Sequence, residues 1–453
     1  MDLRGKTLSA SGFHAPERGR IDVLDDVLFD ISDDGIITAV HRHGDPNYRT
    51  IREARDLAGQ IVTLPKGTYI LPGFVDLHVH APQYPQLGAA LDQPLETWLT
   101  QYTFPLEARY QDLAFAKRAY SLLVEDLLAG GTTTALYFAT IHQEATRALA
   151  DICLEKGQRA LIGKIAMDNP DECPEDYRDA SPEAALEGTR DFIDYLRAHP
   201  DNADGRVLPV VTPRFIPSCT DATLEGLGEI VRRCGCHVQT HCSESDWAHA
   251  YALKRYGKTD TEMLDHFGLL TRKTVLAHAN FLTDDDMDLV KAREAAVAHC
   301  PLSNAYFANA VFPLKAALDK GMHVGLGTDI SGGPSASMLE NARSAVLVSR
   351  MLDSGTDPKL PAGERSANTG SQIDFRDAFY IATTGGGIAL DLPIGRLEPG
   401  FKFDAVAIDT RADKGTIRLW DEFDTGEAIL QKIVYTASRA NVSSVWIGGA
   451  KLR

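Results

Sequence analysis

Two histidines lie one residue apart at the end of an apolar run, in the stretch LPGFVDLHVH that spans Leu71–His80. In a β-strand, residues i and i+2 project from the same face. If this stretch is a strand, His78 and His80 therefore point to one side, and Asp76 precedes them on that side. A cation between the two imidazoles would explain the pair, because neutral imidazole is a common metal ligand. Two histidines that are merely exposed or hydrogen-bonded are the alternative at this point.

The composition limits the classes of partner. The chain has 453 residues, of which 44% are apolar and 24% charged, and its formal net charge is −17. This length favours one large domain plus a smaller one. The negative charge argues against nucleic acid and anionic membranes as partners, because both bind basic patches. The sequence has no apolar run of membrane-spanning length and no signal-peptide pattern, so we expect a cytoplasmic protein. Seven scattered cysteines favour buried thiols over disulfides or a Cys-zinc site.

Short apolar or β-branched runs alternate with longer amphipathic stretches from residue 70 onward. Eight such runs with helical segments between them predict an α/β fold, a parallel (β/α)8 TIM-like barrel, with an open doubly wound sheet as the alternative. No GxGxxG motif follows a strand, which argues against a dinucleotide site. The predicted strands are ILPGFVDLHVH, TTTALYFAT, RALIGKIAMD, VLPVVTPRF, HVQTHCSE, TVLAHANF, AAVAHCPLSN and HVGLGTDIS.

The two ends of the chain have a different pattern. Near the N terminus, VLFDISDDGIITAV consists of two alternating runs around an Asp-Gly turn, which is typical of a β-hairpin. Near the C terminus, FDAVAIDT, KIVYTA and SVWIGG are predicted strands. We expect both ends to form one small β-sandwich domain, residues 1–68 and 393–453, beside a barrel of residues 69–392. The Gly-, Pro- and Ser-rich segment Asp353–Asp374 is predicted to be a surface loop.

Side chains capable of chemistry lie where the predicted barrel strands end. Active sites of parallel barrels form at the carboxyl ends of the strands. Three imidazoles and one carboxylate suit Zn²⁺, with Fe²⁺ as the alternative. The strand ends supply, in chain order, His78, His80, Arg214, Phe215, His241, Glu244, His278, His299 and Asp329.

The same positions favour one metal ion over two. Two-metal barrels usually carry a bridging acid, often a carbamylated lysine, at the end of an interior strand. Here the fourth strand ends at Arg214, and Lys164 lies in the middle of the third. His299 is predicted to support the site or the fold without binding metal. Asp76 either lies behind the ligands or is buried beneath them.

These motifs resemble the amidohydrolase superfamily, and within it the single-metal aminohydrolases, in particular the guanine deaminases. HxH and the last aspartate mark the superfamily, whereas QYTFP, YFATIH and TPRF are similar to segments of guanine deaminases. One departure is Ala279-Asn280 after His278, where the family usually has glycine, and another is the length of the segment Asp353–Asp374. The resemblance rests on PGFVDLHVHAPQY, LETWLTQYTFPLE, TTTALYFATIH, GKIAMD, VTPRFIPSC, QTHCSE, HCPLSN and GLGTDISGG.

The resemblance implies a homodimeric zinc enzyme that hydrolyses guanine to xanthine and ammonia. It assigns one role to each of three sets of residues. The roles are metal binding, proton transfer together with stabilisation of the attacking water, and contacts to the guanine ring. The metal set is His78, His80, His241 and Asp329. The catalytic set is Glu244, His278 and Asp329. The ring-binding set is Gln83, Arg214 and Phe215.

Arg214 bears on the choice of substrate. Its guanidinium group only donates hydrogen bonds, which suits the 6-oxygen of guanine. Facing the 6-amino group of adenine, the arginine is expected to remain an unmet buried charge.

Two other functions stay open. Another single-metal aminohydrolase, acting on a pterin, an oxidised guanine or a triazine, would use the same metal ligands, and only Gln83, Arg214 and Phe215 favour guanine. A non-catalytic scaffold is the third candidate. A degenerate scaffold is expected to have lost metal ligands, whereas this sequence retains the full set.

Overall fold

The structure is a computed structural model that describes residues 1–367 and 370–453. The strands are β1 (Thr7–Glu17), β2 (Arg20–Ile31), β3 (Ile37–His41), β4 (Ile61–Thr63), β5 (Thr68–Pro72), β6 (Phe74–His80), β7 (Thr132–Phe138), β8 (Arg159–Gly163), β9 (Ile165–Ala166), β10 (Val207–Pro213), β11 (His237–Cys242), β12 (Thr274–His278), β13 (Ala296–His299), β14 (His323–Leu326), β15 (Ala405–Asp409), β16 (Val442–Ile447) and β17 (Ala450–Lys451).

Helices fill most of the connections between these strands. The α-helices are α1 (Tyr48–Leu57), α2 (Leu95–Trp98), α3 (Phe104–Ala108), α4 (Leu113–Ala129), α5 (Gln143–Lys156), α6 (Pro182–Ala198), α7 (Asp221–Cys234), α8 (Asp246–Tyr256), α9 (Asp260–His266), α10 (Asp284–Ala292), α11 (Pro301–Ser303), α12 (Leu314–Lys320), α13 (Met338–Ser354), α14 (Ala362–Arg365), α15 (Phe375–Ala382), α16 (Thr384–Ala389) and α17 (Glu427–Thr436). Single turns of π-helix span Leu99–Thr103 and Asn304–Ala308. Short 3-10 helices span Ala81–Gln86, Arg109–Gln111, Pro200–Asn202, Ile216–Ser218 and Arg439–Asn441.

Eight parallel strands form the barrel, in the order β6, β7, β8, β10, β11, β12, β13 and β14. The predicted (β/α)8 barrel is confirmed. Its strands appear in the sequence as nearly continuous apolar runs because helices cover their outer face. β7 and β12, for example, are buried at every residue.

The first and eighth strands are joined at the end of the barrel where the candidate site lies. The backbone N–H of Asp329 donates to the carbonyl of His78 at 2.8 Å, and the N–H of His80 donates to the carbonyl of Ile330 at 2.9 Å. These bonds hold the segment after β14 against the end of β6. The closure of the barrel therefore places Asp329 beside the two histidines of the first strand.

α4 shows how the sequence builds the outer layer. The side chain of Asp112 caps its first turn by accepting from the backbone N–H groups of Ala114 and Phe115. Leu123 and Leu127 are fully buried against the barrel, and such burial stabilises the fold by roughly 1.5–3 kcal/mol per side chain.

Both chain ends contribute to a second sheet, as predicted. Its strands follow the order β17, β16, β15, β5, β1, β2 and β3, and β4 pairs with β1. The predicted N-terminal hairpin is confirmed by the antiparallel pairing of β2 with β3. The first predicted strand, however, divides at Gly73, with β5 in this second sheet and β6 in the barrel. A side chain at Gly73 would place its Cβ 2.1 Å from the hydroxyl oxygen of Thr133, so the crossing point requires glycine.

One predicted strand is wrong. All of KIVYTA except its last residue, Ala437, lies in α17, a helix that begins after Gly426. The buried residues of α17 are Leu430, Ile433 and Val434, which share one face at helical spacing. A six-residue window hides this period because it omits Leu430.

A buried ion pair links the barrel to the second sheet. Arg159, at the start of β8, donates from Nε to Asp404 Oδ2 at 2.8 Å and from Nη2 to Oδ1 at 3.2 Å. The side chain of Asp404 is 1% exposed, and its Oδ1 also accepts from the N–H of Gly448 at 2.7 Å. This pair lies at the end of the barrel opposite to the strand carboxyl ends.

Further sequence predictions concern thiols, a loop and membrane segments. All seven cysteines are free and six are buried, with Cys234 half-buried, which agrees with the predicted thiols. The described part of the predicted loop Asp353–Asp374 is mostly exposed and contains α14, while residues 368 and 369 lie outside the described residues. Within 1–367 and 370–453, no helix has the length and apolar character needed to cross a membrane.

Candidate metal centre and active site

Three histidines and one aspartate converge at the carboxyl end of the barrel. Nε2 of His78 lies 3.1 Å from Oδ1 of Asp329, and Nε2 of His80 lies 3.7 Å from the same oxygen. Nε2 of His80 also lies 2.9 Å from Nε2 of His241. All four side chains are buried. The structure thus brings the four predicted metal ligands together, although they come from three separate parts of the chain.

The donor set fits a divalent metal ion. Nε2 of His78 and Nε2 of His278 are buried and make no hydrogen bond within the described residues, although buried polar atoms normally have a partner. Burial, and then the positive charge of neighbouring groups, holds the pKa of His78, His80 and His241 well below its usual range. These rings are therefore neutral, which is the form that binds metal. A divalent cation among them would satisfy the orphaned Nε2 of His78.

Hydrogen bonds behind the ligands fix their orientation. Nδ1 of His241 donates to the backbone carbonyl of Arg214 at 2.6 Å, which leaves Nε2 free to bind metal. Asp76 is fully buried and accepts from the N–H and the hydroxyl of Thr328 at 2.9 and 2.6 Å. Because Thr328 precedes Asp329, Asp76 holds the ligand-bearing segment in place. Of its two predicted positions, Asp76 occupies the one behind the ligands.

Glu244 and His278 lie beside the metal ligands. Oε1 of Glu244 is 3.7 Å from Nε2 of His278, which is itself 3.9 Å from Oδ2 of Asp329. Burial, reinforced by the charge of Asp329, raises the pKa of Glu244 to about 8. A carboxyl group with a pKa near neutrality can both give and take a proton. This position therefore suits a proton carrier.

The three residues predicted to hold the purine ring face the same cavity. Arg214 and Gln83 are buried and both contact Glu107, and the ring centroid of Phe215 is 6.2 Å from that of His241. The cavity is lined by His80, Gln83, Leu95, Trp98, Leu99, Arg214, Phe215, His241, Glu244, Phe307, Asp329 and Gly332.

His299 stays outside this cavity. It is fully buried on β13, where its ring centroid lies 5.7 Å from that of Phe312. Burial lowers its pKa to about 3, so the ring is neutral. That this histidine does not bind metal stays a prediction.

The sequence analysis missed several residues of the site. Phe138, at the end of β7, places its ring 4.7–4.9 Å from the rings of His78, His80 and His241. Its place at a strand end, in YFATIH, was a usable signal. The site also has an apolar wall, formed by Leu95, Trp98 and Phe307, and the carboxylate of Glu107. These residues lie in helices between the strands, so the positions of the strand ends do not reveal them.

Comparisons with known proteins agree with this geometry. The Amidohydrolase family matches residues 69–452. The guanine deaminase of Dictyostelium discoideum is 33% identical over 463 residues, which cover 99% of this chain and 98% of that protein. The guanine deaminase of Homo sapiens is 37% identical over 439 residues, covering 95% and 93%. The guanine deaminase structure from C. acetobutylicum, with guanine bound in its active site, superposes with a TM-score of 0.86 at 27% identity and covers 98% of this chain and 99% of that one. The chain belongs to the amidohydrolase family and, within it, to the guanine deaminases.

Proposed function

We propose that this protein is a zinc-dependent guanine deaminase that hydrolyses guanine to xanthine and ammonia. The observation that carries the proposal is a single cavity lined by metal-ligand residues, by the proton carrier Glu244 and by the ring-binding set Gln83, Arg214 and Phe215. The names of the similar proteins support the same reaction. Release of ammonia and xanthine from guanine by the purified protein is the direct test.

Zinc is the proposed metal because three imidazole nitrogens and one carboxylate suit this ion, with Fe²⁺ as the alternative. His78, His80, His241 and Asp329 would hold it. When bound there, zinc would lower the pKa of water to about 7 and so supply hydroxide at neutral pH.

Protons are handled by the acids beside these ligands. We assign to the Asp329 carboxylate the orientation of the attacking water toward C2 of guanine. Glu244 then protonates N3 and afterwards assists the departure of ammonia, a role supported by its raised pKa.

His278 is proposed to donate a hydrogen bond to the attacking oxygen. Its Nδ1 is 2.8 Å from Oδ1 of Asn304, to which it donates. Donation from Nε2 as well requires the protonated ring, in which both nitrogens carry a hydrogen. Burial lowers the pKa of His278 below its usual value, and the charge of Asp329 and the hydrogen bond to Asn304 oppose this effect only in part.

Binding and orientation of the purine are assigned to the other end of the cavity. Phe215 packs against the ring, and Gln83 offers both an amide donor and an amide acceptor. Arg214 donates to the 6-oxygen. Holding the ring in one orientation keeps C2 beside the metal, and such positioning is a large part of catalysis.

The metal content of the purified protein is expected to be about one zinc or iron per chain, because the ligand residues form a single set. Elemental analysis after dialysis measures it. His241→Asn should lose most of the metal, whereas His299→Asn, at another buried imidazole two strands away in the barrel, should retain it. Two equivalents retained after dialysis would contradict the single-metal site. A chelator should abolish activity with little loss of folded structure.

We also propose a cytoplasmic homodimer. Free cysteines suit a reducing compartment, and the family resemblance supplies the dimer. Light scattering on the eluting protein should give twice the chain mass of 49.4 kDa. A mass of one chain at micromolar concentration would exclude the dimer.

A further inference from the structure

We infer that Glu107 is a positioning residue that holds Arg214 and Gln83 against the purine ring and thereby sets the preference for a 6-oxo purine. The inference rests on the proposed function. It adds a residue that neither touches the metal ligands nor lines the cavity, and that acts through two residues that do line it.

Glu107 makes three hydrogen bonds to the ring-binding residues. Its Oε2 accepts from Nη1 of Arg214 at 2.6 Å, and its Oε1 accepts from Nη2 of Arg214 at 3.2 Å. The same Oε1 accepts from Nε2 of Gln83 at 2.8 Å. Two parallel bonds between a guanidinium group and a carboxylate fix the plane of both groups. The carboxylate of Glu107 therefore fixes the positions of both side chains that make polar contacts to the substrate, Arg214 and Gln83.

The pair of Glu107 and Arg214 is shielded from solvent. The side chain of Glu107 is 0% exposed and that of Arg214 is 3% exposed. Phe104, one turn earlier in α3, lies under the guanidinium group, with its ring centroid 5.0 Å from Cζ of Arg214. The pair is therefore buried and packed from one helix. A buried charge that loses its partner is strongly destabilised, so Arg214 depends on this carboxylate.

The amide of Gln83 is fixed at both ends. Its Nε2 donates to Glu107, while its Oε1 accepts from the backbone N–H of Ser331 at 3.1 Å. With both ends engaged, the amide cannot rotate by half a turn. One amide hydrogen and one oxygen lone pair remain for the substrate, in a defined orientation.

Arg214 keeps donors for the substrate as well. A guanidinium group has five N–H donors, and Glu107 takes two of them. The remaining donors can face an acceptor such as a 6-oxygen. Because Glu107 supplies the negative charge, the substrate does not have to be an anion, and a neutral oxo-purine suffices.

The test compares two ligands that differ at position 6 and, as a consequence, in the hydrogen on N1. Hypoxanthine carries the 6-oxygen and purine does not, and their binding to the metal-loaded enzyme is measured by calorimetry without any turnover. Glu107→Gln should weaken hypoxanthine binding by about 10²-fold, the size of effect that a small misplacement in a site produces, with little change for purine. The kcat/KM for guanine should fall in parallel, while metal content stays at the wild-type level.

Two further variants separate positioning from general stability. Asp404→Asn breaks a second, largely buried arginine–carboxylate pair, with Arg159, and should lower the unfolding temperature without changing the ratio of hypoxanthine to purine affinity. In an Arg214→Met background, Glu107→Gln should have no additional effect on that ratio, because coupled residues are non-additive. Should Glu107→Gln not fold, Glu107→Asp keeps the charge, shortens the side chain and should show the same selective loss in a weaker form.

An equal loss of hypoxanthine and purine affinity, or an unchanged ratio in both Glu107 variants, would overturn the inference. The wild-type protein separately tests the proposed function. Absence of ammonia release from guanine would reject the reaction, whereas the ratio of the two affinities still reports whether Glu107 positions Arg214.

Discussion

Glu244→Gln is expected to lower kcat for guanine by about 10²–10⁴-fold, the range for loss of a general acid or base, while metal content stays normal. Glutamine keeps the shape of the side chain but cannot carry a proton. The side chain is 14% exposed, and its Oε1 is 3.7 Å from Nε2 of His278. Glu244 thus lies at the cavity but does not belong to the cluster of proposed metal ligands around His78. The measurement is a steady-state rate combined with elemental analysis of the same sample.

Asp246→Asn is the matched control for this variant. Asp246 follows Glu244 by two residues but is exposed in the first turn of α8. Its amide variant should keep the wild-type rate. A Glu244→Gln protein that has lost its metal would show that Glu244 is a ligand. A rate within threefold of wild type would remove it from proton transfer.

The fold was predictable because the barrel imposes a simple rule on the sequence. Strands buried on both faces must be apolar throughout, and they alternate with helices of suitable length. The rule does not predict the structure of segments that are neither apolar throughout nor part of this alternation of strands and helices. The division of the first run at Gly73 depends on the close approach of Thr133, and α17 is recognised only when Leu430 is included in the window.

The candidates for metal binding were predictable for a related reason, whereas the family resemblance selected the proposed ligands among them. Carboxyl ends of parallel strands meet at one end of a barrel, so His78, His241 and Asp329 could be brought together without knowing any distance. Glu107 could not be found in this way. It lies on a helix and pairs with Arg214 at a separation of 107 residues, and no spacing rule connects such positions.

The departure from the family after the sixth strand also has a structural meaning. His278 and Ala279 adopt φ values of +69° and +56°, in the left-handed region that favours glycine. The family usually has glycine in this turn, whereas this chain has a side chain there and therefore a strained backbone. The side chain of Asn280 donates to the backbone carbonyl of Glu244 at 2.8 Å, which connects this turn to the proposed proton carrier.

The expectation that Arg214 is an unmet buried charge when it faces adenine is wrong. Its guanidinium group is paired with Glu107. Discrimination against adenine therefore cannot come from an uncompensated charge. It has to come from the remaining N–H donors, which need an acceptor when a purine displaces water from the cavity.

Adenine can enter this cavity in two ways, and both leave these donors unmatched. In the orientation of guanine, its 6-amino group faces Arg214, so that donor meets donor. Turned over to bring the 6-amino group to the metal, adenine presents a C–H group to Arg214. A site built around a hydrogen bond rejects the analogue that lacks it by on the order of 10⁴-fold. Guanine should therefore be converted to xanthine and ammonia, while adenine and cytosine remain essentially unreacted.

A substrate panel scored by ammonia release measures this preference, with a pterin, an oxidised guanine and a triazine included for the other aminohydrolase activities. Arg214→Met should reduce guanine turnover far more than it changes metal content, because the methionine fills space but donates nothing. The double variant Arg214→Met/Glu107→Gln avoids a stranded carboxylate and should show the same loss of guanine turnover in a folded protein. Comparable turnover of adenine and guanine by the wild type would remove Arg214 from the 6-position, and faster turnover of a pterin or triazine would replace guanine as the substrate.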